Sequence, residues 1–496
     1  MNSIDIDTGG TFTDGVLHFD GNVVTVKVDT TPHDPVRCFV DCIEAGAKLL
    51  GKDTAALLKA TEVIRYSTTA ATNAIIQRKG AKIGLLVTEG AEENFYSEKN
   101  GGTAVAIFLD KALVKGVQEE VDANGIVKVE VDADSFRAAT EELLDNGARL
   151  LVVAFRHATL NPANELRAKS FFRSWFPPYY LGTPFLLLSH QISPRGTDAE
   201  RLNSAVLSGY LHRGLVSYLY RCDDAVRSQG FRCPLLVVHS TGGLARVAKT
   251  KALNTYNSGP TAGVFGAARI ARRYGFNRVI TMDMGGTSTD VAFIENGNVH
   301  FSFRAEIDGV RVSLPMIEVF SVGGGGGSIA SVQDGKLFVG PESAGSVPGP
   351  ACYDLGSTSP TVTDADVVLG LIAPDNFLGG RRRINAELAR RAIEQAVASP
   401  LKLGVDGAAL RIRSVLAENL AATIRVEAEK HSFLLRDAVL FAYGGAGPAH
   451  AADIATAAGV PIFYVFPNSP VFSAAGSATM NIEHYYESRV RPHAEE

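Results

Sequence analysis

Two eight-residue stretches carry the most chemistry in this chain. Asp7-Thr-Gly-Gly-Thr-Phe-Thr-Asp14 and Asp283-Met-Gly-Gly-Thr-Ser-Thr-Asp290 share the frame D-x-G-G-T-x-T-D, six identities in eight positions, 276 residues apart. A Gly-Gly turn adopts backbone angles closed to other residues and lets amide groups approach an anion with no side chain in the way. Thr8, Gly9, Gly10, Thr11 and Thr13 in the first copy, and Gly285, Gly286, Thr287 and Thr289 in the second, are therefore candidate phosphate-binding residues. Asp7 and Asp283 stand where a carboxylate could hold a cation that also binds the phosphate, the arrangement Mg²⁺ prefers. With Asp290 they are the candidate catalytic carboxylates. A pair of ligand-free hairpins would not account for two Thr and two Asp being kept in both copies.

The elements around each copy read as strand, turn, strand. Ile4 and Ile6 alternate with polar residues before the first, and Gly15-Val-Leu-His-Phe19 follows it. Arg278–Met282 precedes the second, and Val291–Ile294 follows. A third strand is expected at Val23–Val28, then a helix with apolar positions Phe39, Ile43, Ala47 and Leu50. From Asp134 to Ser189, helical and apolar-strand patterns alternate, which predicts a mostly parallel sheet. A long helix is expected from about Ala199 to Gln229, with Leu202, Val206, Tyr210, Val216 and Leu219 on its buried face.

Further polar stretches fall at element ends. Ser67-Thr-Thr-Ala-Ala-Thr-Asn73 can cap the following helix or face a ligand. His190 and Arg195 lie beyond a strand end, where α/β folds place ligands; Arg195 could equally make a salt bridge. Asn94–Thr103 reads as an exposed loop that could face substrate. Five consecutive glycines, Gly323–Gly327, read either as a linker or, given the apolar strands beside them, as a backbone-lined ligand loop, which is favoured. Leu440–Tyr443 runs into Gly444-Gly-Ala-Gly-Pro448, a strand, glycine turn and helix start that lets a nucleotide lie on backbone.

At 496 residues the chain should form two or more domains. Apolar residues make up 46%, charged residues 20%, and the formal net charge is −5, which gives no electrostatic basis for binding nucleic acid or an anionic membrane. Apolar runs such as Leu150–Phe155 fall far short of the ~20 residues of a spanning helix, and no signal peptide is visible ahead of the first strand. Five scattered cysteines argue against a disulfide framework and for a reducing compartment, the cytoplasm. Cys38 and Cys42, four apart on a helix, are read as buried small side chains rather than half of a metal site.

Asp7–Asp14, Asp283–Asp290 and Gly444–Ala451 resemble the two phosphate motifs and the adenosine motif of actin-like ATPases. More narrowly the chain resembles the hydantoinase A / 5-oxoprolinase / acetone (acetophenone) carboxylase family. The matching text includes Ser67–Asn73, Gly340-Pro-Glu-Ser-Ala-Gly345, Pro348-Gly-Pro-Ala-Cys-Tyr353, Thr361-Val-Thr-Asp-Ala365, Asn376-Phe-Leu-Gly-Gly380 and Tyr443-Gly-Gly-Ala-Gly-Pro448. The resemblance implies an α/β fold of two RNase-H-like (actin/sugar-kinase-type) lobes around an ATP cleft. The expected division is a first lobe over 1–190, a helical crossover over 191–230, a second lobe over 231–475 and a tail over 476–496.

The resemblance also implies ATP and Mg²⁺ as cofactors. Asp7 and Asp283 would hold the metal, or one would orient the nucleophile. Thr11, Thr13, Thr287 and Thr289 would meet phosphates, and Gly444, Gly445 and Gly447 would meet adenosine. The implied reaction is phosphorylation of a carbonyl oxygen. The first reading is hydrolysis of a cyclic amide of the hydantoin or oxoproline type. The alternative is the ATPase subunit of a ketone carboxylase, which the Phe472–Gly476 and Tyr485-Tyr486 ending favours. A non-catalytic actin-like scaffold is the reading from another class. The implied partners are a small carbonyl substrate and a hydantoinase B-like second subunit, itself the place for any transition metal, in a hetero-oligomer. Two departures stand out: related subunits continue for about another domain past Gly476, and Asn94–Gly102 replaces an Arg- and Tyr-containing stretch.

Overall fold

The computed structural model of the protein describes residues 1–31, 33–97, 103–484 and 486–487. The chain opens with an antiparallel meander of β1 (Ser3–Thr8), β2 (Phe12–Phe19) and β3 (Asn22–Asp29). Helix α1 (Pro35–Leu49) then packs on β2 with Phe39, Ile43 and Ala47 buried. The approach is close because Gly15 has no Cβ: one built there would stand 2.5 Å from Cys42 Sγ. Cys38 and Cys42 are both fully buried core residues, as their spacing suggested. Strand β4 (Val63–Thr68) returns parallel to β1.

The expected β-α alternation then forms a sheet of its own. β5 (Ile83–Thr88), β6 (Val114–Val117), β7 (Leu150–Val153) and β8 (Phe185–Leu188) are all parallel, in the order β8-β7-β5-β6. Helix α2 (Asp198–Ser228) leaves this sheet through a capping box made by Thr197 and Glu200. Leu202, Val206, Tyr210 and Leu219 are buried as expected, whereas Val216 is exposed on its outer face. β9 (Leu235–Val238) and β10 (Leu244–Arg246) rejoin the first sheet, β9 lying parallel to β4. The expected start of a second lobe at 231 therefore comes before the change of sheet. A sequence pattern marks a strand but not the sheet it joins, and here α2 carries the chain back to the one it left.

Helix α3 (Ser258–Tyr274) leads into the second six-stranded sheet. β11 (Arg278–Met284), β12 (Thr289–Glu295) and β13 (Asn298–Val299) repeat the antiparallel meander, and β14 (Phe320–Val322) adds to β12. Helices α4 (Val362–Val368) and α5 (Val405–Lys430) cover it. β15 (Val439–Tyr443) lies parallel to β11, helix α6 (Gly447–Ala458) follows, and β16 (Ile462–Val465) lies parallel to β15. Both sheets thus share a core in which a three-stranded meander precedes two parallel strands, the RNase-H-like order, occurring twice.

Helix α7 (Phe472–Ser477) joins the lobes: it packs on α3 and also on β1, β2 and β4. Gly266 of α3 meets Gly476 so closely that an added Cβ would stand 2.8 Å from the Gly476 Cα. Ser477 Oγ donates to Asp5 Oδ1 at 3.2 Å. The expected tail is anchored at its start: the Leu244 amide donates to the Asn481 carbonyl at 2.8 Å, and the Glu483 amide to the Leu244 carbonyl at 3.0 Å. Tyr485, 98–102 and 488–496, on which the ending and the substrate loop partly rested, lie outside the described residues.

A Cβ at Gly476 would collide with the Ala262 backbone carbonyl, which cannot rotate away. Gly476→Ala should therefore cost about 1–3 kcal/mol, the usual range for overpacking, read as a lower midpoint in urea unfolding. An unchanged midpoint would show that the α3–α7 crossing is loose.

Candidate active site

The two octapeptides fold into matching hairpins. In the first, Asp7 stands directly across the ladder from Asp14; in the second, Asp283 stands across from Asp290. The Gly9 amide donates back to the Phe12 carbonyl at 3.0 Å, and the Gly285 amide to the Ser288 carbonyl at 3.0 Å. These bonds close the turns, so Gly9 and Gly285 have no amide left for a ligand. The amides of Gly10, Thr11, Gly286 and Thr287 have no acceptor among the described residues. Gly10, Gly286 and Thr287 are exposed, and Thr11 is half-buried. The turns face each other, since a Cβ built on Gly286 would lie 4.0 Å from Thr11 Oγ1.

The remaining threonines point inward. Thr8 Oγ1 accepts from the buried Tyr66 hydroxyl at 2.9 Å, and Thr13 Oγ1 lies 3.0 Å from Thr30 Oγ1. Thr289 is fully buried and donates to the Gly324 carbonyl at 2.5 Å. Thr8, Thr13 and Thr289, expected to meet phosphate, are instead internal struts. Their places on β1, β2 and β12 aim the side chains into the core, a facing that hydroxyl chemistry alone does not reveal.

Like charges directly opposite on a ladder repel, so each carboxylate needs support. Ser67 Oγ donates to Asp7 at 2.6 Å, and Ser473 Oγ donates to Asp283 at 2.9 Å. Lys27 Nζ, on β3, lies 2.5 Å from Asp14 Oδ1, and Ser321 on β14 donates to Asp290. Burial, with a smaller contribution from the Asp14 charge, raises the Asp7 carboxyl to about 6 against the help of Ser67. Burial followed by the Asp290 charge raises Asp283 to about 7, and Asp7 and Asp14 add to the effect. Burial also raises Asp14 and Asp290. The field at Asp283 thus carries contributions from the first hairpin, and one pocket of negative charge spans both lobes.

Glycines bring other backbone up to these carboxylates. A Cβ on Gly259, at the start of α3, would stand 2.9 Å from Asp7 Oδ1, and one on Gly444, where φ is +83°, would overlap Asp283. Gly445 is open to solvent in the turn before α6, and Gly447 is buried in the first turn of that helix. The Ala446 amide donates to the Met284 carbonyl at 2.9 Å, tying the expected adenosine turn to the second hairpin. Beneath it, buried His450 Nε2 lies 3.0 Å from Asp366, which also pairs with Arg413; Arg413 in turn reaches Asp453 at 2.6 Å.

The pentaglycine is neither a linker nor a ligand loop. Gly324–Gly327 are buried; the Gly326 amide donates to the Gly285 carbonyl at 3.0 Å and the Gly327 amide to the Gly286 carbonyl at 2.6 Å. A Cβ on Gly325 would stand 2.8 Å from the Gly285 carbonyl oxygen, so only glycine lets this backbone support the turn. Thr30 does the same for the first hairpin through the Gly9 and Thr11 carbonyls.

His190 and Arg195 are also structural: His190 Nδ1 pairs with buried Glu165, while Arg195 pairs with Glu487 and lies over the Phe303 ring. Ser67 serves Asp7, and Thr69, at the start of the helix, donates its hydroxyl to the Thr8 carbonyl at 3.1 Å rather than capping with it. Asn94, Tyr96 and Ser97, the described start of the expected substrate loop, line a separate cleft of about 400 Å³ with Arg156, His157 and Asp198. The sequence marked Gly259 for close approach and Ser67 within a polar cluster, but not that both serve Asp7; it missed Ser321, Ser473 and Lys27. For Lys27 the alternation of β3 opposite Asp14 was a usable signal; the serines lie too far away in sequence to be paired by inspection.

Because the folded-state value of Asp283 lies above the ordinary carboxylate value, its contribution to stability is complete below about pH 4 and is lost as pH rises through about 7. In the absence of cations, Asp283→Asn should melt higher than the parent at pH 8, with the difference shrinking toward pH 4. Parallel melting curves across that range would contradict the arrangement.

Comparison with known proteins agrees with this geometry. Residues 3–176 match the hydantoinase/oxoprolinase N-terminal region, and residues 201–485 match hydantoinase/oxoprolinase. The chain is 41% identical to the acetophenone carboxylase gamma subunit of Aromatoleum aromaticum, over 99% of its own length and 69% of that protein. It is 31% identical to the crystal structure of the ATP-dependent caprolactamase from Pseudomonas jessenii, with a TM-score of 0.82 over 96% of this chain and 70% of that one. The nucleotide-free structure of acetone carboxylase matches with a TM-score of 0.84 and 28% identity, over 97% and 71%. Paired Gly-Gly hairpins in twin RNase-H-like lobes and a match over nearly the whole chain lead to one conclusion: the protein belongs to the hydantoinase/oxoprolinase family.

Proposed function

We propose that the chain is the ATP-using subunit of an enzyme that activates a carbonyl oxygen by phosphorylation. The observation that carries this reading is the pair of facing hairpins with four half-buried carboxylates, each raised above the ordinary carboxylate value. A cation between the hairpins would favour ionisation of these raised carboxyls, and oxygen donors beside phosphate suit Mg²⁺. Asp7 and Asp283 would hold it, oriented by Ser67 and Ser473. Bound there, Mg²⁺ supplies neutralisation of phosphate charge during transfer.

The chain's own groups do the rest. The Gly10, Thr11, Gly286 and Thr287 amides donate to phosphate oxygens from both sides, in a fixed arrangement that needs no reorganisation during transfer. Asp290, held by Ser321, would orient the accepting oxygen. The turn at Gly444–Gly445 receives the adenosine, its bond from Ala446 to Met284 coupling base and phosphate positions. Closure of the lobes about the α3–α7 crossing would exclude water.

Both carbonyl classes are represented among the relatives. The higher identity to a ketone carboxylase subunit, 41% against 32% for the caprolactamase alpha subunit, favours a ketone, activated as its enolate for carboxylation. Cyclic-amide hydrolysis is supported by the structural match to the caprolactamase. The relatives' names describe subunits, so a hydantoinase B-like partner in a hetero-oligomer is part of the proposal. All five cysteines are free, which fits the cytoplasm. No helix among the described residues is long and apolar enough to cross a membrane.

Two outcomes follow. Asp7→Ala and Asp283→Ala should each lower ATP turnover by at least about 100-fold, the size of losing one strong electrostatic contact; retained turnover in both would remove the hairpins from the mechanism. With its co-purifying partner, the chain should turn over ATP when given acetone or acetophenone and fix labelled bicarbonate. Stimulation by hydantoin, 5-oxoproline or caprolactam without bicarbonate would assign the hydrolytic reaction instead.

A further inference from the structure

Away from the hairpins, His300, Glu318 and His431 converge from three separate segments. Each brings one ligand atom to within 4.8 Å of the other two. His300 follows β13, Glu318 precedes β14, and His431 caps the C-terminus of α5. The side chains are 27%, 28% and 23% exposed, enough for a small ion to enter and too little for free rotation.

The spacing is informative. Glu318 Oε2 lies 3.8 Å from His431 Nδ1, too far for a hydrogen bond. Two ligands on one tetrahedral Zn²⁺, with bonds of about 2.0–2.1 Å, stand about 3.3 Å apart, so a small inward movement brings these atoms to coordinating distance. Glu295 Oε2 lies 3.6 Å from His300 Nε2 at the edge of the group, and its other oxygen pairs with Arg278.

The surroundings suit a cation. The Glu318 amide donates to the His300 carbonyl at 3.0 Å, which fixes two of the ligand-bearing segments against each other. His431 stands at the negative end of the 26-residue α5 dipole. Phe293 and Phe320 pack around its ring, with centroids 5.9 and 5.4 Å away, and give the site a dry wall. Two imidazoles and a carboxylate select a borderline ion over Mg²⁺ or Ca²⁺.

We propose that His300, Glu318 and His431 form a structural site for a divalent transition metal of the Zn²⁺ type, separate from the nucleotide site. The ion ties the 300–318 excursion and the end of α5 to the second sheet. It thereby anchors β14, whose Ser321 holds Asp290 three residues beyond Glu318.

The test uses the full chain, stripped with chelator and kept in excess Mg²⁺ to cover the hairpin carboxylates. Titration with Zn²⁺ in a calorimeter should show one equivalent bound and a raised melting temperature. Co²⁺ should give the intense visible bands of a low-symmetry site. Glu318→Gln and His431→Ala should weaken Zn²⁺ binding at least about 100-fold, since even an indirect partner of a metal ligand is worth 10–100-fold. His300→Asn, at the half-exposed strand edge, guards against a folding failure in His431→Ala. Affinity unchanged in all three variants, or no binding by the folded parent chain, would overturn the proposal.

Discussion

Four half-buried carboxylates gathered on two facing hairpins set one electrostatic constraint on this protein. Asp7, Asp14, Asp283 and Asp290 lie on two hairpins 276 residues apart in the chain; burial raises all four, and repulsion from neighbouring aspartates adds to it at Asp7 and Asp283. Such an arrangement is unfavourable alone and becomes favourable when a cation and a polyanion occupy it together. The fold supplies one hydrogen-bonding or charged partner for each carboxylate: Ser67, Lys27, Ser473 and Ser321. It leaves the positive charge needed for full ionisation to come from outside.

The second constraint is distance of approach. Backbone comes up to the carboxylates at Gly259 and Gly444, to the second turn at Gly325, and to the lobe junction at Gly476. At each of these a methyl group would collide with backbone or a carboxylate. The two turns are supported differently, by the Thr30 side chain and amide in one lobe and by the amides of Gly326 and Gly327 in the other. Similar geometry is therefore reached by dissimilar sequence, and only the octapeptides themselves betray the repeat.

This explains which parts could be read from the sequence. The hairpins, the glycine turn before α6, the long α2 helix and the family were legible because each depends on a local pattern. The expected roles of Thr8, Thr13 and Thr289 failed because strand facing, not residue type, decides where a hydroxyl points. The pentaglycine was misread because its use is close packing against a hairpin some 40 residues earlier in the chain. The boundary at 231 failed because β9 joins β4 across the inserted parallel sheet, a pairing with no local signal. The pairings of Ser67 and Ser473 with aspartates 60 and 190 residues away were invisible for the same reason.

The central claim is that the two hairpins form one site rather than two. The most direct test is a double-mutant cycle on Mg·ADP binding by calorimetry, with Asp7→Asn, Asp283→Asn and the pair. If both carboxylates share one cation and one nucleotide, the double variant should lose much less affinity than the sum of the single losses, giving a coupling energy above ~0.5 kcal/mol. Strictly additive losses, or a loss confined to one hairpin, would contradict a shared site.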